Sequence, residues 1–495
     1  MRRHPHLYEI NACLFLRRMS QKYGRALTLA TIPEEEWQEL KRLGFDLVWL
    51  MGVWQRSSGS RREALLHEAL RHEYDRALPG WADGDVAGSP YAVGSYELDA
   101  SLGKPAELAQ LKAKLNRLGL GLILDFVPNH VARDHPWTHS HPQRFIQGKE
   151  ASVQVHPGWF FSPGGGTYLA HGRDPYFPPW TDTAQLNYYS PDLRWAMIEE
   201  LRRIAEVADG VRCDMAMLAL NDVFGRIWGE LAGYPRPDTE FWEGAITQVK
   251  GPKPGFLFLA EAYWGLERQL PQLGFDFTYD KALYDRLRSS SARDIRHHLM
   301  ADEPYQQHSV RFIENHDEER AITAFGRERS LAAAVVLGTV PGLRLFHDGQ
   351  LEGRRIRLPV QLVRAPEEAA DAGIRQFYER LLEVCNSPSF HEGEWELLDV
   401  VASVDGHDSH LNIMSWCWRY AGRDRIVVVN YSPENSQGWL KLPLPAGNAG
   451  RTALHDAISG GTFVPDADRL WSQGLHLDLK PWETQIWDMT PVPAS

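Results

Sequence analysis

At 495 residues, with 43% apolar and 24% charged side chains, the chain has the composition of a soluble globular protein with room for two or three domains. A formal charge of −12 supplies no basic stripe for phosphate backbones, which argues against a nucleic-acid partner, and no run approaches the roughly 18 apolar residues of a membrane span. The four cysteines, Cys13, Cys213, Cys385 and Cys417, are far apart with no CxxC pair, which argues against a disulfide framework or a structural zinc site. Glu9 and Asn11 interrupt the N-terminal apolar run, so it lacks the core of a secretory signal. A reducing, cytoplasmic setting is expected.

In chain order, eight apolar runs rich in β-branched and aromatic residues are predicted strands: YEINACLF (8–15), FDLVWL (45–50), LGLILDFV (120–127), DGVRCDM (209–215), GFLFLAE (255–261), FDFTYD (275–280), VRFIEN (310–315) and LRLFHD (343–348). Helical periodicity lies between them. In KPAELAQLKAKLNRLG, Leu108, Leu111, Leu115 and Leu118 share a face. In SPDLRWAMIEELRRIAEVADG, Ser190 is the predicted N-cap, Pro191 opens the first turn and Gly210 lies past the end. Strand then helix, eight times, predicts an α/β fold, a (β/α)8 TIM barrel.

Two segments break the alternation. Residues 131–189 are rich in Pro, Gly, His and aromatics and too long for a plain connection, which predicts a loop-rich domain inserted after the third strand. From about 390 the helices give way to LNIMSWCWRY, DRIVVVNYS, GWLKLPL, LHLDLK and TQIWDM, short alternating runs that predict a C-terminal all-β sandwich. The expected organisation is barrel over 1–130 and 190–389, insertion over 131–189 and sandwich over 390–495.

In such barrels reactive groups lie at the C-terminal ends of the strands. Those ends carry Asp125, Asn129 and His130 (LDFVPNH), Arg212 and Asp214 (VRCDM), Glu261 (LAEAYW), and His316 and Asp317 (IENHDEER). Any one strand-end Asp is ordinarily a helix cap or an ion-pair partner. Three carboxylates on one rim suit something else: glycoside cleavage with retention, which needs a nucleophile, an acid/base roughly 5 Å away and charge to steady an oxocarbenium-like transition state. Arg212 and Asp214 are two apart on a strand, so they share a face and can stabilise each other, which makes Asp214 the best nucleophile candidate. Histidines on the same rim can donate to sugar hydroxyls. Some of the 18 Trp are expected to line a groove, although most fill the core.

LDFVPNH, GVRCDM, LAEAYW and ENHDEER, in that order, resemble the four short regions shared by the α-amylase family, glycoside hydrolase family 13, and the three-part organisation fits as well. The resemblance implies Asp214 as nucleophile, Glu261 as general acid/base and Asp317 as transition-state stabiliser, with Arg212, His130, His316 and Asp125 holding sugar or orienting carboxylates. SPYAVGSYELDASLG is similar to the family's segment before the third strand and implies Tyr91 as the ring stacked on the bound glucosyl unit. AQLNYYSP (184–191) resembles the region closing the inserted domain.

The chain also departs from the family. Many amylases carry a Lys and His pair where this sequence has Met217 and Leu218, which removes a leaving-group contact and weakens the case for calcium. Asn129 occupies the usual calcium-ligand position but equally suits a strand-end turn, so the expectation is no metal and no cofactor. His135, His139 and His141 have metal-like spacing, yet flanking prolines and no matched carboxylate favour loop polarity. The triplet at 164–166 lacks the strand-to-helix context of a phosphate loop. The expected partner is a small or oligomeric α-glucoside; oligomeric state is open. A hydrolase ranks first, a glucanotransferase or trehalose-forming isomerase second. A noncatalytic binding or scaffold protein would have lost carboxylates, and aldol chemistry would want a strand-end Lys, which none of these ends carries.

Overall fold

The computed structural model describes residues 1–404, 406–442 and 452–491. Eight parallel strands close into a barrel in the order β1 (His6–Asn11), β2 (Leu47–Met51), β3 (Gly121–Phe126), β4 (Gly210–Cys213), β5 (Leu257–Ala260), β6 (Phe277–Tyr279), β7 (Ser309–Arg311) and β8 (Leu343–His347). Each falls on one of the eight predicted runs, so the TIM-barrel expectation holds. All but Gly121 are buried along their whole length, which is why they appear in the sequence as near-continuous apolar runs.

The first strand is displaced from its predicted bounds. It begins at His6 and stops at Asn11, whose side chain accepts from Leu14 N at 3.2 Å and caps the helix Ala12–Lys22. The apolar residues Cys13 to Phe15 belong to that helix. Gly210 also differs from its expected role as a helix stop. The helix Pro191–Val207 ends earlier, and Gly210 is the first residue of β4, where a Cβ would stand 2.7 Å from Leu257 O and from Ile123 Cδ1. Close approach of three strands, not a turn, demands glycine there. Ser190 caps that helix as predicted, accepting from Leu193 N.

The chain forms two compact units, one of Tyr8–Tyr279 with Ile356–Glu367, the other of Met1–Leu7, Asp280–Arg355 and Glu368–Ser495. In the first, residues 131–189 form a small antiparallel sheet of Gln147–Gly148, Phe160–Gly164 and Thr167–Ala170, while His130–Ala132 pairs with Thr183–Gln185. The triplet Gly164–Gly166, all at positive φ, turns the hairpin between two of those strands. In the second, a six-stranded and a three-stranded antiparallel sheet hold a core of Ile413, Cys417, Ile426, Val428, Leu475 and Leu477. This is the expected C-terminal all-β domain. Of the predicted run GWLKLPL, the strand Ser436–Leu440 is present and residues 443 and 444 lie outside the described residues. The four cysteines are free thiols, and among the described residues no helix is long and apolar enough to cross a membrane.

Candidate active site

The site follows from strand register. In β4 and β5, Cys213 pairs with Ala260, so Asp214 and Glu261 occupy the next rung, each one residue past its strand, with Glu261 N donating to Cys213 O at 3.0 Å. Neighbouring strands lie about 4.8 Å apart, and residues on one rung share a face. On β3 and β4, Arg212 pairs with Asp125, so the two residues share a rung.

Arg212 is 1% exposed and holds the centre. Its Nη1 donates to Asp214 Oδ1 at 2.6 Å, and its Nη2 forms an ion pair with Glu261 Oε2 at 2.8 Å without hydrogen-bond alignment. Its Nε donates to the Tyr279 hydroxyl at 3.4 Å, and the rings of Trp49, Tyr91 and Tyr279 lie 5.2–5.6 Å from its central carbon. Burial alone would loosen its proton; Glu261, Tyr279, Tyr91 and Asp214 overcome that and hold it well above the usual guanidinium range. Two carboxylates therefore grip adjacent nitrogens of one permanent cation.

Glu261 is fixed from both sides. Oε2 accepts from Met215 N at 2.7 Å and Oε1 from the Tyr263 hydroxyl at 2.7 Å. Met215, directly after Asp214, has φ 41° and ψ 46°, a left-handed conformation that costs a non-glycine residue of order 1 kcal/mol and here aims its N–H at Glu261. Met217 and Leu218 lie fully buried in the 3-10 turn Ala216–Ala219, so they pack where the family pattern would place polar groups.

Asp125 has both oxygens engaged by protein: Oδ1 accepts from Trp49 Nε1 at 3.1 Å and Oδ2 from Gly52 N at 2.9 Å. Gly52 stands at φ 76° with Pro90 at 2.9 Å from a would-be Cβ. Tyr91 is half-buried, its face toward Arg212. His130 is buried beside Trp180, ring centroids 5.0 Å apart, and burial lowers its pKa to about 4, so it is a neutral imidazole near pH 7.

His316 and Asp317 belong to the other compact unit, where His316 Nε2 and Asp317 Oδ2 are 3.1 Å apart. Asn315 Oδ1 accepts from the amides of Asp317 and Glu318 at 3.0 and 2.9 Å, an Asx turn that fixes the loop after β7. In the same unit Glu314, Arg320 and His347 form a buried network, Arg320 Nη1 reaching Glu314 Oε1 at 2.6 Å and His347 Nδ1 at 2.8 Å. Burial pushes the Glu314 carboxyl up, but Arg320 and His347 outweigh it and hold it below the ordinary range.

Asn129 does not fit a cation ligand. The Gln185 amide nitrogen is 2.9 Å from Asn129 O, 3.0 Å from Asn129 Oδ1 and 3.0 Å from Leu186 O, all buried. A neutral N–H donor thus stands where a cation would need those oxygens. Among the described residues no group of three His, Cys, Asp or Glu is arranged to hold a metal; His135 instead accepts Trp137 N at 3.1 Å.

Sequence reasoning missed Tyr263 and Tyr279, which touch Glu261 and Arg212, although both lie in the predicted strand-end runs. It also missed an aromatic pair: Trp264, 40% exposed at φ 65°, meets Tyr176, 69% exposed, edge to face at 5.2 Å. Trp264 follows Glu261 by three residues. Asp174 Oδ1 accepts from the amides of Tyr176 and Phe177 and so sets the Tyr176 loop.

Comparison with known proteins bears on this geometry. The profile of the α-amylase catalytic domain matches residues 34–355. The chain belongs to the α-amylase family. It is 24% identical over 382 residues to α-amylase MalA of Haloarcula japonica, an alignment covering 75% of this chain and 51% of that protein. It is 26% identical over 342 residues to the α-1,4-glucan:maltose-1-phosphate maltosyltransferase of Rhodospirillum rubrum, covering 64% and 42%. The chain thus spans about half the length of these relatives. In fold it resembles the noncanonic maltogenic α-amylase AmyB of Thermotoga neapolitana, with TM-score 0.67, 20% identity and 98% of both chains covered. It equally resembles the trehalulose synthase MutB, with TM-score 0.66, 16% identity and 99% of both chains covered. The family resemblance noted from the four motifs is therefore correct.

Proposed function

We propose that this α-amylase family member cleaves α-glucosidic bonds of malto-oligosaccharides or related α-glucosides with retention, through a glycosyl ester on Asp214. The observation that carries the reading is the single buried guanidinium of Arg212 shared by Asp214 and Glu261. It keeps Asp214 ionised and aims it, while Glu261, held by Met215 and Tyr263, faces the same space. In the first step an Asp214 oxygen bonds to the anomeric carbon, the bond to the leaving oxygen breaks, and Glu261 gives that oxygen its proton. In the second, water loses a proton to Glu261 and its oxygen displaces Asp214, which restores both carboxyls. Asp317 steadies the charge of the transition state, and His130, His316, Asp125, Arg212 and Tyr91 hold the sugar ring or the carboxylates.

The leaving-group side is where hydrolysis and transfer part. Met217 and Leu218 offer no polar contact there, and the exposed Tyr176–Trp264 pair supplies apolar edges suited to a sugar face. That pair favours a second reading, transfer to a sugar acceptor or isomerisation, and similarity to a maltosyltransferase and to a trehalulose synthase is consistent with it. We place the reaction in the cytoplasm, on the four free, widely spaced thiols, and without calcium at Asn129, whose oxygens accept from Gln185. The test is incubation with a panel of α-glucosides, with and without maltose, beside Asp214→Asn. Retention of the anomeric configuration by proton NMR, and a loss in the variant of at least about a thousandfold, are expected. Wild-type rates in Asp214→Asn, or inverted products, overturn the reading.

A further inference from the structure

A cavity of about 700 Å³ lies in the first compact unit, and Asp214 and Glu261 are not among its lining residues. Three elements bring a guanidinium to it: Arg17 from the helix Ala12–Lys22, Arg56 from the strand Trp54–Arg56 and Arg61 from the helix Ser58–Leu66. In a chain of net charge −12 such a concentration is not background.

None of the three guanidiniums forms an ion pair among the described residues, and neutral groups position Arg56 and Arg61. Arg56 Nη1 donates to Gly88 O at 2.6 Å and Val360 O at 3.4 Å, and its Nη2 is 3.7 Å from Cys13 Sγ. Its Nε is buried without a hydrogen-bond partner. Arg61 Nε donates to Val86 O at 2.8 Å and its Nη2 to Asp83 O at 2.7 Å. Asp99 is the one carboxylate lining the cavity, and its oxygens accept from Arg56 N, Ser101 N and Ser101 Oγ. Backbone carbonyls thus hold Arg56 and Arg61 in place without neutralising them, and three guanidiniums face one lining carboxylate; Asp85, which acts on Arg17, is itself engaged by Arg364. Surface arginines solvated singly need no explanation. A half-buried guanidinium with an orphaned N–H, beside two others, calls for an anion, and the planar fork matches phosphate oxygens.

We propose that this cavity binds a phosphate group, either free phosphate or the phosphate of a small sugar ester. Its volume lies in the range of small-molecule sites and exceeds the need of a bare anion, which favours the ester. The inference is independent of the reading of Asp214 and Glu261.

Calorimetric titration of the full chain at constant ionic strength tests it, with inorganic phosphate, glucose 1-phosphate, glucose 6-phosphate and glucose as probes. Saturable binding of at least one phosphate-bearing probe, and none of glucose, is expected. Tighter binding of an ester than of inorganic phosphate identifies the sugar phosphate, and the reverse identifies free phosphate. Arg17→Gln should weaken binding about tenfold with unchanged Tm, Arg61→Gln about tenfold, and Arg56→Gln more. Binding must persist under saturating maltose. No saturable binding by any phosphate probe, wild-type affinity in the arginine variants, or displacement by maltose overturns the proposal.

Discussion

Arg212 Nη1 and Asp214 Oδ1 are 2.6 Å apart, with the arginine side chain 1% and the aspartate 9% exposed. Two carboxylates depend on that cation, so Arg212→Met leaves Asp214 and Glu261 as buried, mutually repelling acids. Removing one partner of a buried ion pair costs about 3–5 kcal/mol. The urea midpoint should fall accordingly, and kcat by about a thousandfold or more. Arg212→Lys should recover stability in part but little activity, because an ammonium cannot serve two carboxylates from a planar fork. Near-normal turnover in either variant would contradict the central role given to this residue.

The aromatic pair beyond Glu261 gives a second expectation. Trp264→Ala removes one face of the Tyr176–Trp264 edge, at a cost of about 1 kcal/mol per lost sugar contact. The transfer-to-hydrolysis ratio with maltose as acceptor should drop about fivefold, while hydrolysis of an aryl α-glucoside, whose leaving group is not a sugar, stays unchanged. An unaltered product ratio by chromatography removes the pair from the acceptor side.

Burial lowers the pKa of His130, His135 and His171 to about 4, against about 6.5 in an unfolded chain. Between those values the unfolded state binds more protons, so stability rises with pH there and is lost as pH falls from 6.5 toward 4. Each histidine should contribute about 1–2 kcal/mol of this loss between pH 7 and 5. Urea unfolding across that range measures it, and His171→Gln should flatten the slope. Parallel profiles for variant and wild type would show that His171 already carries its proton in the native state.

Gln185 donates to both oxygens of Asn129, which leads to an expectation about metal. EDTA should change neither Tm nor kcat, and millimolar calcium should not raise Tm. Gln185→Leu strands several buried acceptors and should cost on the order of 3 kcal/mol. A saturable calcium-dependent rise in the wild-type Tm would mean that the glutamine gives way to the ion.

The eight strands were legible because a strand buried on both faces must be apolar throughout, and the strand-end polar residues stand out against that background. Boundaries were less legible: Cys13, Leu14 and Phe15 suit a strand or a buried helix face equally, and the Asn11 cap decides between them. Asp214 and Glu261 are 47 positions apart in the chain, and the four motifs named them before any geometry did. Tyr263 and Tyr279 were overlooked, since a tyrosine in an apolar run gives no sign of which carboxylate or guanidinium its hydroxyl will meet.

By itself, the sequence determined the alternation of strand and helix, the all-β end and the identity of the polar residues at the rim, because periodicity and composition are local properties. Only the tertiary structure decided what those residues touch. It put Arg212 between two acids, filled the oxygens of Asn129 with an amide, and gathered three arginines around a cavity lined by a single carboxylate. Each depends on register and packing between segments far apart in the chain, where a shift of one residue would turn a side chain to the opposite face.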